Sequence, residues 1–231
     1  MTPTGSRKQS PVRSCIALIT LGMGVVLGFL LLRPQPVHAG TCATTSTIGV
    51  DTTGADLLFI IFSSRAYGQT FLATDTVLKS VTVFRPGIPL LEINDTPLQL
   101  YITTVDALGV PNWRVEDRLW TGPLQSFPPT DGVHPLPIKF EINPPLVLPG
   151  PGRYYFTIKE SWCSLFYTFL GKSFNPYPEG QAWGNGPGFG CTLGLPVDWG
   201  SDQDMCFLLE FCEVTTDALP TSWGRLKQIY R

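Results

Sequence analysis

The chain has 231 residues, of which 43% are hydrophobic and 15% charged, with 23 Gly and 22 Pro. That balance excludes a disordered polyelectrolyte and a coiled coil, and the length allows one domain with short appendages and a good-sized core. The formal charge of −2 gives no basic face of the kind nucleic acid requires.

Residues 1–39 read as an export signal. Arg7, Lys8 and Arg13 form a basic start, and an apolar run of 18 residues follows from Cys15 to Leu32. Val37-His38-Ala39 is then a small-residue cleavage pattern. The alternative is an uncleaved anchor, since 18 apolar residues just suffice to cross a bilayer. A membrane partner is expected only in that case. Either way the bulk of the chain is expected outside the cytoplasm: extracellular, periplasmic or at the cell surface. Cleavage removes four basic residues and no acid, leaving 12 Lys+Arg against 18 Asp+Glu.

The body, residues 40–214, reads as short strands. Segments 57–62, 70–73, 78–85 and 165–170 are rich in Thr, Val, Leu and Phe, the composition of strands. Leu98, Leu100 and Ile102 alternate with Gln99, Tyr101 and Thr103. Ile138, Phe140 and Ile142 alternate with Lys139 and Glu141. Tyr154, Phe156 and Ile158 alternate with Arg153, Tyr155, Thr157 and Lys159; Met205, Phe207, Leu209 and Phe211 alternate with Cys206, Leu208 and Glu210. Period two marks strands buried on one face. Turn formers at Arg85-Pro-Gly, Asn94-Asp-Thr-Pro, Pro128-Pro-Thr-Asp-Gly, Asn143-Pro-Pro and Pro149-Gly-Pro-Gly separate them. No amphipathic helix lies between, which rules against a parallel sheet. The pattern predicts an all-β, antiparallel, jelly-roll-like sandwich, with a barrel as runner-up.

Five cysteines follow the signal: Cys42, Cys163, Cys191, Cys206 and Cys212. An exported chain meets oxidising surroundings. Cys206 and Cys212 read as one strand, about 20 Å apart, beyond disulfide reach. The expected pairs are Cys163–Cys191 and Cys42–Cys212, the second tying the first strand to the last. One His and no Cys-x-x-Cys after the signal argue against zinc.

No G-x-S-x-G, H-E-x-x-H or P-loop occurs, and His134 reads as a loop histidine in Gly132-Val-His-Pro. No catalytic residue, metal or cofactor is assigned. Glu92/Asp95, Glu116/Asp117 and Asp202/Asp204 are neighbouring acids and read as solvated loop carboxylates, with a glycan-acting hydrolase as the alternative that would use them. Asp202-Gln-Asp204 is too sparse a set of oxygens for calcium. Ser173–Gln203 reads as a long Gly-, Pro- and aromatic-rich loop, a length that often carries function. Tyr177, Gln181, Trp183, Asn185, Asp198 and Trp199 are its ligand-binding candidates: rings to stack on a sugar face, amides and a carboxylate for its hydroxyls. The competing reading makes the rings packing.

Three stretches carry a resemblance: Gly68-Gln-Thr-Phe-Leu-Ala with Leu78-x-x-Val-x-Val, Pro149-Gly-Pro-Gly-Arg-Tyr-Tyr-Phe, and Tyr177-x-x-Gly-x-Ala-Trp183 with Trp199 and Asp204-x-x-Phe. Their order resembles exported bacterial β-sandwich modules of surface and secreted proteins. Such modules resemble carbohydrate-binding domains in shape, and the functional expectation is a non-catalytic module with a carbohydrate or cell-surface partner. Anchored members carry an LPxTG-like motif, which this chain lacks. The tail, residues 215–231, ends Trp223-Gly-Arg-Leu-Lys-Gln-Ile-Tyr-Arg231 and resembles the W-G-x-[IVL]-K-x-[LI]-Y-R tails of exported bacterial proteins. Ser222 caps an expected short helix, and docking through this tail is a third functional reading.

Overall fold

The computed structural model describes residues 42–61, 65–87, 97–161, 167–187, 192–198 and 202–213. The signal, the tail, Cys163, Cys191, Trp199, Glu92 and Asp95 lie outside them. In chain order the strands are β1 (Thr44–Val50), β2 (Leu57–Ile61), β3 (Ala66–Ala73), β4 (Val77–Arg85), β5 (Leu98–Thr104), β6 (Arg118–Thr121) and β7 (Leu136–Val147). They continue as β8 (Gly152–Glu160), β9 (Tyr167–Lys172), β10 (Ala182–Pro187), β11 (Leu193–Asp198), β12 (Asp204–Met205) and β13 (Phe207–Cys212). A 3-10 turn, Val115–Asp117, precedes β6.

Every ladder is antiparallel. The sheets run β1-β13-β4-β7, β11-β10-β3-β8-β5-β6 and β12-β9-β2. Most neighbours are distant in sequence, as in a jelly roll, and the fold is the expected antiparallel sandwich. One face of the six-stranded sheet packs on the other two. Phe156 meets Phe207 at 5.6 Å between ring centroids, and Phe59 meets Tyr67 at 5.4 Å. The alternating residues read from the sequence fill this core: Leu98, Leu100, Ile102, Ile138, Phe140, Ile142, Tyr154, Phe156 and Ile158 are all buried.

The Cys42–Cys212 disulfide is present, with Cα atoms 5.5 Å apart across 170 residues of sequence. β1 pairs with β13, with Thr44 opposite Cys212, so the ladder brings the two cysteines together.

Three expectations need correction. The strand ending in Cys212 breaks at Cys206, whose N–H bonds to the Leu170 carbonyl of β9 while β13 moves over to β4. Cys206 is therefore a buried free thiol, pushed up to about 11 by burial, and is not on a solvent face. The turn expected at Asn143-Pro-Pro is instead a bulge inside β7: Ser80 faces Glu141, but Leu78 already faces Leu146. An edge strand tolerates prolines there because one side of its backbone bonds to no neighbour. The third correction is the loop Ser173–Gln203, which contains the β10–β11 hairpin and β12's approach. Its glycines hid it: Trp183 of β10 lies opposite Gly68 of β3, where a Cβ would run into the Phe156 carbonyl.

Candidate functional site

Register divides the six-stranded sheet into a core face and an outer face, because residues opposite each other in an antiparallel ladder point the same way. The outer face carries Trp183 and Asn185 from β10, Ala66, Gly68 and Thr70 from β3, and Tyr155, Thr157 and Lys159 from β8. β5 adds Gln99, Tyr101 and Thr103, and β6 adds Arg118. A half-exposed sheet would place charges here. These residues are mostly hydroxyls, amides and rings, and Tyr155, Thr157, Thr103, Thr70 and Asn185 are buried.

The hairpin makes that burial. A register shift between Asn185 and Pro187 turns the tip of β11 over the sheet, and Leu193 packs against Ala66 and Tyr101. Asn185 holds the turn. Its Oδ1 accepts from the Tyr155 hydroxyl at 2.8 Å and from Thr157 Oγ1 at 3.3 Å, and its Nδ2 donates to the Gly194 carbonyl at 3.1 Å. Burial drives the Tyr155 phenol well above the usual tyrosine range, so it stays a donor. Farther along, the Tyr101 hydroxyl donates to Gln99 Oε1, Gln99 Nε2 donates to the Gly122 carbonyl at 2.7 Å, and the Arg118 guanidinium lies 4.6 Å over the Tyr101 ring.

The structure brings four of the six ligand-binding candidates together. Trp183 lies opposite Asp198 in the β10–β11 ladder. Gln181 Nε2 donates to Asp198 Oδ1 at 3.4 Å, and Asn185 stands two residues along β10. Trp183 is 8% exposed, so it offers no flat ring to stack on. Its indole Nε1–H is buried without an acceptor among the described residues. Tyr177 is elsewhere: its ring meets Phe207 edge-on at 5.6 Å and its hydroxyl accepts the Leu72 N–H. Sequence reading passed over Tyr155, Thr157, Tyr101, Thr103 and Arg118. The signal was the outward half of the alternation, which carries Tyr and Thr where Lys and Glu are usual.

The loop acids separate. Glu116 is exposed and Asp117 half-buried on the 3-10 turn. Asp204, expected to be solvated, is fully buried. Gln69 Nε2 donates to its Oδ1 at 2.6 Å and the Tyr177 N–H to its Oδ2 at 2.9 Å, while Gln69 Oε1 accepts the Met205 N–H. Burial nevertheless raises its pKa to about 6. Both oxygens of Asp204 are thus spent on holding β12 and the 173–181 segment to β3. His134 is exposed, with Nδ1 2.8 Å from Asp131 Oδ2. Among the described residues no three His, Cys, Asp or Glu side chains gather where a metal ion would sit. Nor is any described helix long and apolar enough to cross a membrane.

The chain matches no protein-family model and no curated protein. A chain from the structure of the infectious bursal disease virus Gx strain aligns over 80% of this chain and 47% of its own length, at 10% identity and a TM-score of 0.21. This chain thus spans about half the length of that one, and a likeness so low carries no argument.

Proposed function

We propose that this is an exported or surface-attached, non-catalytic β-sandwich module that binds a carbohydrate-like ligand at the β10–β11 end of the outer face. The observation that carries the reading is Trp183 Nε1. A buried N–H with no acceptor costs about 1–3 kcal/mol, and buried polar groups are nearly always satisfied. Gln181, just before β10, and Asp198 of β11 stand beside Trp183, a donor and acceptor set suited to hydroxyl groups. Trp183 Nε1 is itself buried, so on this reading the ligand meets Gln181 and Asp198 first and reaches the N–H only as neighbouring side chains move aside. The Cys42–Cys212 disulfide supports export, because such bonds persist in oxidising compartments.

The test is a glycan array followed by calorimetry on the best binder. Trp183→Phe keeps a large ring and removes the donor. It is expected to weaken binding at least about tenfold, the equivalent of roughly 1.4 kcal/mol, with the thermal transition retained. Asp198→Ala should act in the same direction. A wild-type chain that binds no glycan, or a Trp183→Phe variant that binds as tightly, overturns the proposal.

A further inference from the structure

Trp183 Nε1 is not alone among the unpartnered donors of the outer face. At the far edge of the same sheet, Thr103 Oγ1 and Arg118 Nε are buried and have no hydrogen-bond partner among the described residues. Thr103 is fully buried, and in register it stands between Tyr155 of β8 and Arg118 of β6. Buried polar groups are nearly always satisfied, so two neighbours left open at one place point to a group that comes from outside the chain. Tyr101, under the Arg118 guanidinium, is three ladder steps from Trp183 along the row Trp183, Gly68, Thr157, Tyr101. That is about 14 Å at the usual strand spacing, so the two ends of the face report separately.

A bulge puts Arg118 there. Trp120 lies opposite Ile102, whose side chain is in the core, so strict alternation along β6 would turn Arg118 to the core as well. The register instead shifts between Ile102 and Thr103, and Leu119 takes the extra place and packs on the core. Arg118 then falls opposite Thr103 on the outer face. Bulges re-aim side chains in this way and are over-represented at sheet edges and next to active sites. The charge of Arg118 is also unanswered. It makes no ion pair among the described residues, and Glu116 is taken by Arg114 at 3.9 Å.

β6 is the edge of its sheet and Arg118 is half-buried, so the guanidinium is reached from the β6 side. A ligand group meets its outer N–H groups first, and engages Nε and Thr103 Oγ1 as the plane turns off the Tyr101 ring. Nε–H and one terminal N–H form a fork that matches the two oxygens of a carboxylate, and the Thr103 hydroxyl adds a further donor. One guanidinium in a chain of net charge −2 answers one negative charge, which favours a carboxylate over a phosphate dianion. We propose that Arg118 and Thr103 form a carboxylate-binding subsite at the β5–β6 end of the outer face, and that the sugar taken by this face is a uronic acid. The sugar part rests on the function proposed above; the carboxylate part does not.

The test is a proton–nitrogen NMR titration of the full chain with D-glucuronate and D-galacturonate, against D-glucose and D-galactose as their neutral counterparts. A uronate is expected to shift the Arg118 Nε–H and the Thr103 amide saturably, and the neutral sugars to leave both unmoved. Arg118→Gln should weaken that binding at least about tenfold, the loss of hydrogen bonds to a charged group. Arg118→Lys keeps the charge without the fork and should recover only part of it. Unchanged dispersion in the rest of the spectrum shows that each variant is folded. No uronate shift at Arg118 and Thr103, equal shifts from the neutral sugars, or a shift that survives Arg118→Gln overturns the proposal. The Trp183 indole N–H is the separate reporter. If it answers to no sugar while the uronate shift at Arg118 is present, the earlier reading falls and the carboxylate subsite stands.

Discussion

Asp204 should make this protein less stable as pH rises from acid to neutral, against the usual trend. Its folded pKa is about 6, against 3.8 for the free side chain, because burial outweighs the bonds from Tyr177 and Gln69. Between these values the folded state holds a proton that the unfolded state has lost, so stability falls with pH. The stabilisation is complete below about pH 4 and gone above about pH 6. A shift of about two units corresponds to about 3 kcal/mol, most of it lost between pH 4 and pH 7. Other groups titrate in the opposite sense, Glu210 among them, lowered to about 2 by Lys139 and Ser80. The comparison is therefore between wild type and Asp204→Asn, each unfolded in urea at pH 4, 5, 6 and 7. Asparagine carries no charge, and although one of its bonds is mismatched, that cost is the same at every pH. The wild-type stability minus that of the variant should drop by about 2 to 3 kcal/mol over the range. A flat difference would refute the argument that desolvation dominates at Asp204.

Removing the Cys42–Cys212 bond, by reduction or as Cys42→Ala/Cys212→Ala, should cost about 5 kcal/mol by loop entropy for a separation of 170 residues, read as a lower urea midpoint. Gly68→Ala should destabilise by about 3 kcal/mol or more, because its Cβ would meet backbone and the Tyr155 ring. Gly54→Ala, with φ +68° and open space around it, should cost only about 1 kcal/mol. Thermal melts of the two variants side by side separate steric from conformational cost.

The fold was legible wherever one face of a strand is apolar and the other is not. β5, β7 and β8 show this, and their inward residues are the core. The terminal disulfide was legible for a related reason: the cysteines fall beside the first and last strands, and a sandwich pairs those. The β10–β11 hairpin was not, because Ala-Trp-Gly-Asn-Gly-Pro has neither β-propensity nor alternation. Its place is set by tertiary fit, with Trp183 against Gly68 and Asn185 against Tyr155. Asp204 was misread for a similar reason. A carboxylate flanked by Gln203 and Asp202 looks solvated, and only the distant Gln69 and Tyr177 make its burial tolerable. The candidate site therefore showed in its residue types, while its geometry depends on contacts distant in sequence, from 30 residues for Asn185 and Tyr155 to more than a hundred for Trp183 and Gly68.

The bond between Cys42 and Cys212 also decides where a pull on the chain would go. β1 begins and β13 ends beside this bond. Tension applied between the residues before Cys42 and those after Cys212 would therefore cross from one sulfur to the other and leave the strands between them unloaded. The sandwich would behave as a bead clipped onto a tether: able to hold its sheets in shape under shear that would unzip an unclipped β1–β13 ladder, and losing that protection once the bond is reduced.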